Sequence, residues 1–155
     1  MKFLHTMGAA GLMGAMAALL VMLSVAPPPS ALASYAAVRG AMGAVATWII
    51  LPSLALMLVS GLLAMTLNRA FLNAGWAWLK LATGVLMFEG VLVYVQGPMQ
   101  QEAEQSAGAL AGRVDPATLA ATLGPERNTL WVLLVVATAN VVLGIWRPRL
   151  IRLPR

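Results

Sequence analysis

The sequence predicts an all-α polytopic membrane protein: a bundle of four transmembrane helices, with a short surface helix in the loop between helices three and four. Three observations lead there. Charged residues make up only 10% of a chain whose mean hydropathy is +0.85, whereas soluble domains carry about 25%. Four apolar stretches reach the roughly 20 residues that cross a bilayer. Between them stand the prolines, glycines and charges that end such spans. With 155 residues, the chain makes a single membrane domain, 1–155, and four spans with their loops use nearly all of it.

The first span is expected at about 3–25. Lys2, an apolar run and Ala31-Leu32-Ala33 have the layout of a signal peptide. The run from Met7 to Ala26 is longer than the usual h-region of about 7–15 residues, so it reads as a retained helix. Gly8, Gly11, Gly14 and Ala18 place small residues at helical spacing, where another helix can approach. Pro27-Pro28-Pro29 ends the span.

Span two is expected at about 38–67, with Arg39 at its start and Asn68-Arg69 at its end. Pro52 removes a backbone donor near the middle and should kink it. Span three, about 76–98, begins at Gly75-Trp76 and carries Glu89 about halfway. An acid there costs roughly 2.5–3.5 kcal/mol on insertion scales, so Glu89 is expected to face protein or a water-filled cavity. Residues 99–125 read as the one long polar loop. Asp115-Pro116 starts a surface helix over about 116–123, and Gly124-Pro125 stops it. Span four covers about 126–146, with Asn140 as its one strongly polar interior residue. Trp76, Trp78, Trp131 and Trp146 lie near span ends, where aromatic belts form.

Counting charges orients the chain. With the N-terminus inside, Lys2, Arg69, Lys80 and the C-terminal Arg147, Arg149, Arg152 and Arg155 fall inside, and Arg39, Arg113 and Arg127 fall outside. The positive-inside rule then puts both termini in the cytoplasm of a bacterial inner membrane protein. The net charge of +5 does not indicate nucleic acid, because the C-terminal arginines read as an anchor on anionic lipid. The absence of cysteine removes disulfides, thiolate metal sites and cysteine nucleophiles. No phosphate-binding loop is present.

Few residues carry chemistry. His5 is the lone histidine. It reads either as a metal or haem ligand or as an interfacial side chain. Lys80 lies in the same leaflet and shares a helix face with Trp76, Thr83, Met87 and Tyr94. It reads as a partner for a carboxylate, such as a porphyrin propionate, or as a snorkelling lysine. Glu89, about half a turn round from Lys80, reads as a proton carrier or as a structural carboxyl. The methionines form no stripe that would hold copper.

From Trp48 to Lys80 the chain resembles HemJ-type membrane proteins and, more loosely, CopD-like ones. The matching features are Pro52, Leu58-Val59-Ser60-Gly61-Leu62, Gly75-Trp76 with Lys80-Leu81, Leu4-His5 near the start, and Glu126 and Arg147-Pro148 at either end of the last span. The resemblance implies a b-type haem or porphyrin held by His5 (the ligand to haem iron), Lys80 and Trp76. It also implies a HemJ-like oxidoreductase acting on protoporphyrinogen IX, with Lys80 as an essential pocket residue. The chain departs from that pattern at Gly43, Ala44 and Thr47, which replace basic residues, at Phe88-Glu89-Gly90, which lacks a histidine, and in the loop 99–125. A single histidine allows a five-coordinate iron. Two other readings stay open. One is a non-catalytic subunit or homo-oligomer that docks through the small-residue face of helix one and the polar loop. The other is a transporter-like protein in which Glu89 carries protons.

Overall fold

In a computed structural model, described for residues 2–68, 72–119 and 123–146, the chain forms four long helices: α1 (Lys2–Ser24), α2 (Leu32–Leu67), α3 (Gly75–Leu110) and α4 (Leu123–Trp146). All four are long and apolar enough to cross a membrane. They pack as an antiparallel bundle. The base holds the start of α1, the end of α2, the start of α3 and the end of α4, and the head is the opposite end. Arg69 and the C-terminal residues 147–155 lie outside the described residues, as do 120–122 of the expected surface helix.

The tightest packing sits where α1 crosses α2. A side chain on Gly8 would meet the Ser53 carbonyl oxygen at 2.7 Å and the Met57 nitrogen at 2.9 Å. Only hydrogen fits at Gly8, and the Ser53 side chain lies over Gly11. Gly8 and Gly11, half of the predicted small-residue face of helix one, therefore pack inside the chain. Gly14 and Ala18 take no part; Ala18 is exposed, and Gly14 faces open space. Leu12, Met16, Leu19, Met42, Ile50, Leu54, Met87, Val91 and Leu130 fill the core between the helices.

Helices α2 and α3 are each 36 residues long, about 54 Å at 1.5 Å per residue. Both contain a wide π turn just ahead of a proline. Over Ala46–Ile50 the turn closes with Leu51 N–H donating to Ala46 O, and Pro52 comes next. Over Leu92–Gln96 it closes with Gly97 N–H donating to Leu92 O, and Pro98 comes next. A proline ring collides with the carbonyl four residues back, and opening the preceding turn relieves the collision. Pro52 thus distorts its helix as expected. Pro98 does not end span three as expected, because the helix resumes and its last part, Gly97–Leu110, packs on the first part of α2, Leu32–Val45.

The polar loop predicted from residue 99 is accordingly helical to Leu110. Gly112, at φ 71°, then ends α3, with Arg113 N–H bonded to Gly108 O at 2.8 Å and Gly112 N–H to Ala109 O at 3.0 Å. Asp115 caps as predicted, accepting from Ala117 N–H at 3.0 Å. The cap starts a single 3-10 turn, Pro116–Thr118, rather than the longer surface helix. Gly124-Pro125 is not a stop either, since α4 starts at Leu123 and contains both. Tyr35, Ala109 and Leu119 form a second small core at the head.

Helices α3 and α4 run in a fixed register, with Thr83 beside Asn140 and Gly90 beside Leu133. In α2, Gly43 lies beside Met99, and Leu58 beside Gly84. These pairs bring exposed Trp78 and Trp146 to one level and exposed Trp48, Tyr94 and Trp131 to another. Positions 78 and 94 are about 24 Å apart along the helix, so two aromatic belts bracket an apolar zone.

We predict that Gly8→Ala destabilises the protein by about 1–3 kcal/mol through overpacking. Gly14→Ala should be neutral or slightly stabilising. Unfolding in detergent micelles compares the two.

Candidate functional site

At the base a cavity of about 430 Å³ opens between the four helices, lined by His5, Lys80, Asn140, Ser60 and Trp76 among mostly apolar residues. Its volume and lining match small-molecule sites, which are largely apolar with a few convergent polar groups. Small residues make the room: Ala9, Gly61, Ala64, Ala77, Gly84 and Gly144 all border it.

His5 is half-buried. Its Nδ1 lies 2.9 Å from the Met57 carbonyl oxygen and 3.2 Å from Ser60 Oγ. A carbonyl has no hydrogen to give, so Nδ1 must carry the proton and donate it. Ser60 Oγ also donates to Met57 O, at 3.1 Å, and is held beside the ring. A side chain on Gly61 would touch the ring at 3.5 Å from Cε1. The ring is thereby fixed in one tautomer. In the neutral ring the other nitrogen, Nε2, keeps its lone pair, and it has no hydrogen-bond partner among the described residues. This is the arrangement that prepares a histidine to ligate.

Lys80 reaches across from α3. Its Nζ lies over Gly144, 2.6 Å from where a side-chain carbon would stand. Among the described residues Lys80 has no acidic partner. Trp76 lines the same cavity, one turn before Lys80. Beyond them, Thr83 Oγ1 lies 2.7 Å from Asn140 Oδ1, and Asn140 Nδ2 points to Met87 Sδ at 3.9 Å. That pair ties α3 to α4 and gives the Asn140 side chain its partners.

The expected helix face therefore holds from Trp76 through Lys80 and Thr83 to Met87. It fails at Tyr94, which is 63% exposed. The π turn over Leu92–Gln96 rotates the helix there. Glu89 differs from expectation as well. It is exposed on the outside of the bundle, borders neither cavity, and does not face protein.

Sequence reasoning also missed a second polar site, at the head. Arg39, expected at the surface end of span two, is 0% exposed. Its Nη1 donates to Glu126 Oε2 at 2.7 Å, and its Nε donates to Tyr35 Oη at 3.2 Å. Tyr35 Oη donates in turn to Glu102 Oε2 at 3.0 Å. Glu102, expected in a solvated loop, is 8% exposed, and Glu126 is 6% exposed. The i, i+4 pair Tyr35 and Arg39 on α2 is the signal in the sequence that points to this site. The two acids, with Gln101, Thr129 and Tyr94, also border a cavity of about 410 Å³. The network joins α2, α3 and α4 just where the bundle meets its head.

These features define a four-span integral membrane protein with one apolar cavity at its base and one buried ionic network at its head. Comparison with protein-family models, curated proteins and solved structures gives no match, so no family is identified.

Removing one partner of a buried charge pair strands the other, at a cost of about 3–5 kcal/mol. Arg39→Met should therefore lower unfolding stability by roughly that amount. Adding Glu126→Leu should recover part of the loss, which a double-mutant cycle in micelles would measure.

Proposed function

We propose that the protein binds a flat, amphipathic, carboxylate-bearing ligand of the porphyrin class, b-type haem in its iron-containing form, in the base cavity. The observation that carries this reading is the His5 ring, held through Nδ1, in a cavity that also contains Lys80; among the described residues Nε2 has no hydrogen-bond partner and Lys80 no acidic one. His5 Nε2 would meet the iron, and Lys80 Nζ would meet a propionate. Trp76 would lie along the ring system. Haem iron, when bound, supplies one-electron chemistry. The chain's own contribution is an oriented imidazole, a fixed cation and an apolar wall that keeps water away from both.

Oxidation of protoporphyrinogen IX is the reaction that the HemJ-type resemblance adds to this reading. Glu89 does not line the cavity and is left out of it. We place the base on the cytoplasmic side, because Lys2 and Lys80 lie there and Arg69 and the four C-terminal arginines adjoin it in sequence.

The purified protein, expressed with ample haem in mild detergent, should show a Soret band. His5→Ala should abolish the band while the variant still inserts and elutes like the parent. Lys80→Met should weaken porphyrin binding about ten- to hundredfold, the equivalent of one charge-assisted hydrogen bond of about 1.5–3 kcal/mol. A colourless protein that also fails to bind added haem or protoporphyrin would overturn the proposal.

A further inference from the structure

The base cavity carries more positive charge than the single contact assigned to Lys80 accounts for. Lys2 borders it as well, exposed at its mouth, and among the described residues no acidic side chain does. Neither lysine has an acidic partner among them. Both stand toward the base. Lys2 precedes His5 by one turn of α1. Gly61 lies beside His5 and Leu58 beside Gly84, so counting along antiparallel α2 and α3 puts Lys80 near the height of His5. The other end of the cavity is closed by Leu12, Met13, Leu58 and Ala137. Leu12 lies about 15 Å further along α1 than Lys2, at 1.5 Å per residue. Polarity is therefore graded along the bundle axis, from two cations toward the mouth to a hydrocarbon floor.

We infer that Lys2 is a second anion contact, and that the cavity selects a ligand with two carboxylates on one edge, inserted with its apolar edge first. On the porphyrin reading of the same cavity, on which this inference rests, it adds the number of anionic groups and the direction in which the ligand lies. Two positive charges without acids in an apolar cleft are matched by two carboxylates; a ligand with one leaves a lysine unmatched. Each ammonium carries three N–H donors on a flexible stem, so each lysine can follow its own carboxylate. Insertion the other way round would press the carboxylates against Leu12, Met13, Leu58 and Ala137, whose side chains donate no hydrogen bond, and burying an unpaired charge is costly. Protoporphyrin, with both propionates on one edge and vinyl and methyl groups opposite, has the required pattern.

The test titrates the protein with metal-free protoporphyrin IX and with its dimethyl ester, in one detergent, by porphyrin fluorescence. For each ligand the ratio of variant to parent affinity is read, so that partition into micelles cancels. Lys2→Gln should weaken the diacid about fivefold and leave the diester unchanged. The loss is modest because Lys2 stands where water and salt screen it, and it should shrink further at about 1 M salt. Lys2→Arg, which keeps the charge, should bind like the parent. Combining Lys2→Gln with Lys80→Met should multiply the two single losses, since each lysine meets its own carboxylate. Equal weakening of diacid and diester by Lys2→Gln, no weakening of either, or a double variant no worse than Lys80→Met would each overturn the second contact while leaving the porphyrin reading in place. A protein that binds neither porphyrin would overturn both.

Discussion

The close crossing of α1 over α2 places nearly everything else at the base. Gly8 and Gly11 bring the backbone of one helix against Ser53 and Met57 of the other. In lipid no hydrophobic force drives helices together, so association depends on packing and on hydrogen bonds between them. The glycines supply the first. One turn toward the base, His5 supplies the second by donating to the Met57 carbonyl. Pro52 assists, because its ring leaves the turn before it wide and the helix beyond it free to meet α1. With α1 drawn onto α2, the small residues of α3 and α4 leave a gap that no large side chain fills. The cavity is what remains when two helices touch closely and the other two cannot close in behind them.

Ionisable groups in this apolar bundle adopt three separate solutions. Arg39 is buried completely, and two acids and a tyrosine surround it. Such an arrangement adds little net stability over an apolar core, but removing one partner alone strands a buried charge. It links α2, α3 and α4 at the head. Lys80 has no acid among the described residues but borders a cavity and lies near the belt of tryptophans, where a long side chain can reach polar surroundings. Glu89 has neither of these and faces outward. One chain thus pairs a charge internally, holds another beside a cavity, and leaves a third exposed on the outer face of α3.

Much of this architecture is legible in the sequence, and the failures share a physical cause. Span number, the distortion at Pro52, the Asp115 cap and the meeting of His5 with Lys80 and Trp76 all come from local rules of length, backbone chemistry and helical spacing. The differences arise where packing between distant segments overrides those rules. Pro98 reads as a stop, yet the helix resumes because α2 supplies a surface for Gly97–Leu110. Glu102 and Arg39 read as solvated charges when each is seen alone; together with Glu126 they form a buried network that spans 87 positions of sequence between Arg39 and Glu126. Glu89 reads as interior because the cost of an acid in a span is a rule about composition, whereas the face it occupies is set by how α3 packs on the other helices. The unpaired Nε2 of His5 is not readable from sequence at all, since it depends on a carbonyl 52 positions away.

Everything proposed for the base rests on His5 being locked with its proton on Nδ1 and a bare Nε2 facing bound ligand. Because the chain has one histidine, nitrogen-15 labelling of histidine alone gives a single ring to observe by NMR in micelles. The expected result is one neutral ring with a protonated Nδ1 and an unprotonated Nε2, whose Nε2 resonance shifts when iron-bearing porphyrin is added. A ring that carries its proton on Nε2, or that exchanges between both forms as a solvent-exposed imidazole does, would contradict it.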